Sequence, residues 1–150
     1  MSLLQYKKKR NFKKTSEPSG KNKEKISNKK LIYAIQEHHA SHLHWDLRLE
    51  MNKVLKSWAF PKIPPRIKNI KRLAIQVEDH PLEYANFHGI IPEGNYGAGE
   101  VKIWDKGTYQ LMEKTSKKII FEIHGKKLNG KYCLIKTDYE NKNNWLFFKV

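Results

Sequence analysis

At 150 residues the chain has the length of one domain, with enough material for a two-layer or barrel core. Its formal charge of +15, from 30 basic and 15 acidic residues, exceeds what solubility requires and points to a polyanionic partner, nucleic acid before acidic membrane. The single cysteine, Cys133, excludes an intrachain disulfide and a cysteine-based zinc site and suits a reducing cytosol. No apolar run has the length of a signal peptide or a membrane span, so neither export nor membrane insertion is expected.

Residues 1–30 hold ten lysines and Arg10 against Glu17 and Glu24, a net +9, which leaves +6 for the rest of the chain. Ser, Asn, Lys, Pro and Gly dominate from Lys13 to Lys30, and burial there offsets too little of the ordering entropy. Residues 1–30 are therefore expected to form a basic, partly flexible arm ahead of a folded domain over 31–150. Within the arm, Lys7 to Phe12 is the stretch best suited to docking, with Tyr6 and Phe12 as anchors.

Beyond the arm, strands are predicted over 31–36, 43–50, 54–59, 73–77, 101–104, 118–124, 132–137 and 145–150. Eight short strands at this spacing, with no long helix, read as an antiparallel barrel or sandwich. Asn52-Lys53 has the position of a hairpin turn, Pro61 to Pro65 marks a crossing loop, and Asn129-Gly130 reads as a tight hairpin turn joining the sixth and seventh of these strands. Helix is expected only in short pieces, near 81–85. The glycine-rich stretch from Pro92 to Gly99 follows neither phosphate-loop spacing and leads into a strand, so it reads as a structural loop.

The most informative stretch is His38-His39-Ala40-Ser41-His42-Leu43-His44-Trp45-Asp46-Leu47-Arg48-Leu49-Glu50, which from His42 onward alternates polar and apolar. As a strand it places His42, His44, Asp46, Arg48 and Glu50 on one face and Leu43, Trp45, Leu47 and Leu49 on the other. A solvated face would show the same alternation. Four of the chain's seven histidines fall between 38 and 44, however, where Lys, Glu, Thr and Ser would be ordinary. Imidazoles with a carboxylate suit a divalent cation, and a planar guanidinium two positions on suits paired phosphate oxygens. A second polar group, Glu78-Asp79-His80, closes the strand near 73–77, and a helical turn opened by Pro81 would fold Tyr84 back beside His80.

Gln36-Glu-His38, Leu43-His44-Trp-Asp46-Leu-Arg48-Leu-Glu50, Leu55-Lys-Ser-Trp58-Ala-Phe-Pro61-Lys62, Arg72-Leu-Ala, Val77-Glu-Asp-His80-Pro-Leu-Glu-Tyr84 and Ile91-Pro-Glu-Gly-Asn-Tyr-Gly-Ala-Gly99 together resemble the 3'-phosphoesterase domain of bacterial DNA ligase D and its free-standing relatives. The resemblance extends to Lys9-Arg10-Asn11-Phe12 and Thr15-Ser-Glu17-Pro18 in the arm and to Trp145-Leu146 at the end. It implies a mainly β, compact antiparallel barrel with short helical segments. The implied activity depends on Mn2+ or another divalent transition metal. A terminal 3' ribonucleoside is removed by phosphodiester cleavage and then the 3'-phosphate, leaving a 3'-OH for repair or ligation.

Carried over by position, the resemblance implies His38, His44 and Asp46 as metal ligands, with Arg48 and His80 on the scissile phosphate and Tyr84 beside them. Gln36, Lys62, Arg72 and Glu78 complete the implied pocket, and Arg10 and Glu17 match positions tied to substrate handling. Asn11 stands where the family has an acidic residue, and His42 where it has arginine. The expected partners are DNA or RNA–DNA 3' ends, with a separate DNA ligase and polymerase, for a cytoplasmic monomer that avoids membranes. Two rivals cover only part of the pattern. A non-catalytic barrel that binds nucleic-acid ends accounts for the charge but not for the His/Asp/Arg set. A cupin-like small-molecule metalloenzyme accounts for the histidines but not for the charge.

Overall fold

A computed structural model of the chain describes residues 3–9, 30–138 and 143–150. A short helix, α1 (Leu3–Lys8), is followed by β1 (Leu31–His39), β2 (Leu43–Met51), β3 (Val54–Phe60), β4 (Arg72–His80), a 3-10 turn (Leu82–Asn86), β5 (Gly89–Ile91), β6 (Gly99–Lys114), β7 (Lys118–His124), β8 (Asn129–Lys136) and β9 (Asn144–Lys149). The sheet runs β1-β2-β3-β4-β9-β8-β7-β6 and returns to β1, so eight antiparallel strands close a barrel and β5 adds to the outside of β6. Closure depends on the length of β6. Its first part pairs with β1 from Glu100 to Tyr109, and its last part pairs with β7 from Thr108 to Lys114. A closed barrel leaves only the short β5 with an unpaired sheet edge, which limits the usual route to strand-mediated aggregation.

Alternation sorts the side chains between two clusters. Tyr33, Ile35, Leu47, Leu49, Trp58, Phe60, Tyr109, Phe121, Tyr132 and Phe147 belong to the core inside the barrel. Edge-to-face contacts of Phe60 with Phe147 (5.1 Å) and Trp58 with Trp145 (5.8 Å) fill it, with Tyr132 stacked on Phe147 at 4.9 Å. Ala34 and Leu55, of the opposite parity, and Val101, which a register shift in β6 turns outward, form a second cluster on the outer wall with Leu82, Tyr84, Ala85, Phe87 and Ile91. The segment from 81 to 98 thus folds back over the outside of β1, β3 and β6, and Tyr6 of α1 is buried in the same layer. The outer face of β1 and β2 is therefore roofed rather than solvated.

Several local expectations shift. The strand expected to stop at Trp104 runs on to Lys114, and β5 was not anticipated. Asn52 and Lys53 both have positive φ, 52° and 66°, as a two-residue hairpin turn between β2 and β3 requires. Asn129-Gly130 is not a turn: the two residues pair with His124 and Ile123, and the reversal lies just upstream, closed by Gly125 N–H donating to the Leu128 carbonyl at 3.0 Å. Because every pairing between these strands is antiparallel, the ends of β1, β3, β7 and β9 and the starts of β2, β4 and β8 gather at one rim. Among the described residues no helix is long and apolar enough to cross a membrane.

Candidate metal centre

Register brings the polar residues of β1 and β2 together at this rim. His38 pairs directly with His44 and Gln36 with Asp46, and the two imidazole centroids are 4.7 Å apart. Asp46 Oδ2 lies 3.2 Å from His44 Nε2 and 3.7 Å from His38 Nδ1. Among the described residues His38, His44 and Asp46 form a set whose ligating atoms all lie within 4.8 Å of one another. Ligand atoms about 2.1 Å from a cation lie roughly 3.0–3.5 Å from each other, so the set needs only slight contraction to hold one.

The outward nitrogens decide which lone pairs point inward. His38 Nε2 donates to the Gly97 carbonyl at 2.6 Å, and His44 Nδ1 donates to the His42 carbonyl at 3.0 Å. Each bond fixes a tautomer and leaves the other nitrogen as an acceptor turned toward the carboxylate, the usual second contact of a metal-binding histidine. Two nitrogen lone pairs and a carboxylate oxygen then face one point, an arrangement that repels itself unless a proton or a cation sits among them. The His44 imidazole reflects this. Burial works against its charged form, but the hydrogen bond and charge of Asp46 raise its pKa, aided by the His42 carbonyl and opposed by Arg48. Burial alone would raise the Asp46 carboxyl; the charge of Arg48 and the bonds from His38 and His44 instead hold it far below the usual carboxylate range.

Arg48 is buried beside this set. Its Nε donates to Gln36 Oε1 at 3.0 Å, Nη1 is 3.4 Å from His80 Nδ1, Nη2 is 3.7 Å from Asp46 Oδ2, and its guanidinium lies 5.1 Å from the Tyr84 ring centroid. Gln36 does not reach into the cleft. Its amide donates to the carbonyls of Tyr84 and Phe87 at 2.7 and 3.0 Å, so it ties the roof to Arg48 from behind. His80 Nδ1 lies 3.0 Å from the Glu78 carbonyl, which only accepts, and 3.4 Å from Arg48, which only donates. One nitrogen cannot serve both, and the shorter contact favours Nδ1–H on the carbonyl.

His38, His44, Asp46, Arg48, Glu78, His80 and Tyr84 all line one open cleft, together with Tyr96 and Gly97. Lys62 and Arg72 are not among its lining residues: Lys62 is exposed on the crossing loop, and Arg72 Nε donates to the Ile63 carbonyl at 2.9 Å, bracing that loop. Arg10 and Glu17 lie outside the described residues. The ring of His42 is exposed; its backbone carbonyl, not its imidazole, serves the centre. Glu50 shares the parity of Asp46 but accepts from Ile32 N–H at 2.8 Å and has a structural role.

The DNA Ligase D 3'-phosphoesterase domain family matches residues 36–136. The chain belongs to this family. It is 45% identical over 154 residues to the multifunctional non-homologous end joining protein LigD of Pseudomonas aeruginosa, across 99% of this chain and 18% of that protein. It is 44% identical over 152 residues to the protein of that name from Mycobacterium bovis and 43% over 159 residues to that from Mycolicibacterium smegmatis, each across 99% of this chain and 20% of the relative. The chain spans about a fifth of the length of these curated relatives.

Within this 3'-phosphoesterase family chain, three features were not assigned to the cleft from sequence, although Tyr6 was expected to anchor the arm and Lys9 lies in the stretch expected to dock. Tyr6 packs edge-on to the His80 ring at 4.7 Å, and Lys9 bridges Glu78 at 2.8 Å and the Tyr96 hydroxyl at 3.4 Å, so the start of the arm closes one wall. The third is the glycine-rich loop, read from sequence as structural. Gly97 has φ +74°, and a Cβ there would lie 3.3 Å from His38 Cε1. Gly97→Ala is expected to strain the loop, push the carbonyl from His38 and weaken affinity for a divalent cation about 10- to 100-fold, as losses of outer hydrogen bonds do. Titration calorimetry of Mn2+ into the purified variant measures this, and an unchanged affinity would show that the carbonyl does not hold the ring.

Proposed function

We propose that the protein is a divalent-metal-dependent phosphoesterase that heals nucleic-acid 3' ends, removing a 3'-terminal ribonucleoside and then the remaining 3'-phosphate to leave a 3'-OH. The observation that carries this reading is the convergence of the His38 and His44 lone pairs on Asp46 beside a buried guanidinium. Family membership and relatives named for non-homologous end joining support it. His38, His44 and Asp46 would hold the cation, with manganese the expected ion, and the donor set of two imidazoles and one carboxylate fits it. When bound, the cation supplies Lewis-acid activation of a phosphate and of water.

The chain's own residues supply the rest. Gln36 holds Nε of Arg48, so the terminal nitrogens are the ones directed at a phosphate, where they stabilise negative charge that grows on the equatorial oxygens. With Nδ1–H on the Glu78 carbonyl, Nε2 is the His80 nitrogen that gains a transferable proton when the ring is an imidazolium, and in that form it would protonate a leaving oxygen or hold the phosphate. Tyr84 supports both groups, its ring 4.7 Å from the His80 ring and 5.1 Å from the Arg48 guanidinium. The basic arm, including Arg10 and Glu17, handles the strand that ends in the cleft, ahead of a catalytic barrel over 31–150.

A labelled primer-template ending in one ribonucleotide tests the reading. Shortened 3' ends are expected with Mn2+ and none with chelator, and uncleaved ends in both would reject it in favour of an end-binding barrel. In the same assay at saturating enzyme, Arg48→Lys is expected to lose most single-turnover activity. An ammonium keeps the charge but not the planar fork or the bond to Gln36, so a wild-type rate would exclude a bidentate role.

A further inference from the structure

The arm carries the largest charge in the sequence, but the barrel's own charge is also unevenly placed. Residues 61–72, 125–131 and Lys149 hold nine of the nineteen basic residues between 31 and 150 and none of the thirteen carboxylates. All other residues from 31 to 150 sum to −3. The fold gathers these three segments at the rim that also bears the β1–β2 turn. The Tyr132 hydroxyl donates to the Pro65 carbonyl at 2.8 Å and pins the 61–71 loop across the barrel end. Lys149 Nζ donates to the Arg66 carbonyl at 3.3 Å, and the backbones of Lys68 and Lys149 form an isolated parallel β-bridge. Arg66 and Lys127 both lie over Trp104, at 5.7 and 4.5 Å from its ring centroid.

Among the described residues no carboxylate pairs with any of these cations. Gathering like charges at one end destabilises a fold, and nothing inside the barrel requires it. We propose that this rim is a binding surface for the phosphate backbone of the nucleic acid whose 3' end enters the cleft, with Arg66, Lys68 and Lys127 each contacting phosphate. The proposal rests on the 3'-end reading for the direction of the strand. His38 and His44 flank the β1–β2 turn at the same rim, so a duplex lying on the basic segments presents its end to the metal centre.

The test compares Arg66→Gln/Lys68→Gln/Lys127→Gln with a control of equal charge loss at the opposite barrel end, Lys53→Gln/Lys114→Gln/Lys117→Gln. All six side chains are exposed, and matching thermal midpoints check the fold. Fluorescence anisotropy with a primer-template already ending in 3'-OH needs no turnover, so binding is read separately from chemistry. The rim variant is expected to bind tenfold or more weakly, with the log–log salt slope smaller by about 0.9 per lost contact, roughly 2.7 in all. The control is expected to change little. Equal slopes for wild type and rim variant, or an equal loss in the control, would overturn the proposal. So would a rim variant that loses binding to anionic phospholipid vesicles while keeping its duplex affinity. Failure of the wild type to cleave would reject the 3'-end reading alone, whereas cleavage with rim-independent binding would reject this surface alone.

Discussion

Asp46→Asn is expected to reduce metal-dependent 3'-end cleavage by about 10^3-fold or more while the barrel remains folded. The change keeps the shape of the side chain and removes the one charge on which both imidazoles and Arg48 converge. A Lewis-acid contribution of several kcal/mol, at about 1.4 kcal/mol per tenfold, sets that scale. A second readout is independent of turnover. Asp46 raises the His44 pKa in the metal-free protein, so in Asp46→Asn the His44 ring resonances should titrate at lower pH than in wild type. His42→Ala is the matched control and should retain near-wild-type activity, because position 42 serves the centre through its carbonyl. Metal-dependent cleavage within tenfold of wild type in Asp46→Asn would sink the ligand assignment, and a comparable loss in His42→Ala would mean that the wrong histidine was chosen.

The second large effect is on stability and lies away from the cleft. Asp105 is buried inside the end of the barrel. Its Oδ1 accepts from the backbone N–H groups of Lys126 and Lys127 at 2.9 and 3.1 Å, and its Oδ2 from Leu128 N–H and the Tyr33 hydroxyl, each at 2.9 Å. One carboxylate thus organises the whole β7–β8 turn. Burial first, and then the charge of Asp105, push the Tyr33 phenol far above its ordinary pKa, which places that hydroxyl permanently as a donor. Asp105→Ala strands a buried hydroxyl and at least one buried N–H, and it should cost about 3–5 kcal/mol. For a domain of this size that lowers the thermal midpoint by roughly 10 °C. Denaturant titration measures it, and a loss below about 1 kcal/mol would mean that water replaces the carboxylate without cost. The turn carries Lys126 and Lys127, so loosening it should also weaken the basic rim.

These two aspartates mark where sequence reasoning succeeds and where it stops. Asp46 was legible because a strand's period of two puts His44, Asp46 and Arg48 on one face whatever the tertiary structure, and the scarcity of histidine made that face unlike a solvated one. The 3-10 turn after Pro81 and the Asn52-Lys53 hairpin were legible from a different local signal, their turn residues. Asp105 was not. The strand was expected to stop at Trp104, and Asp105 and Gly107 beyond it are of types that are poor strand formers. In the fold, Asp105 is needed to satisfy a turn twenty residues later, and Gly107 lies where a Cβ would come within 2.0 Å of the His124 carbonyl.

Alternation, charge and the family motifs in the sequence were thus enough to indicate a β-barrel, its 3'-phosphoesterase family and the residues that share a polar face. Only the tertiary structure decided which of those residues meet. Register across β1 and β2 set His38 against His44, and backbone carbonyls at 42 and 97, which carry no side-chain signal, chose their tautomers. The tertiary structure also turned Arg72 to brace a loop and set Tyr6 and Lys9 against the cleft residues His80 and Glu78. Periodicity is a property of one strand and is written locally, whereas the partner of a side chain across the barrel depends on contacts distant in sequence, which no local pattern encodes.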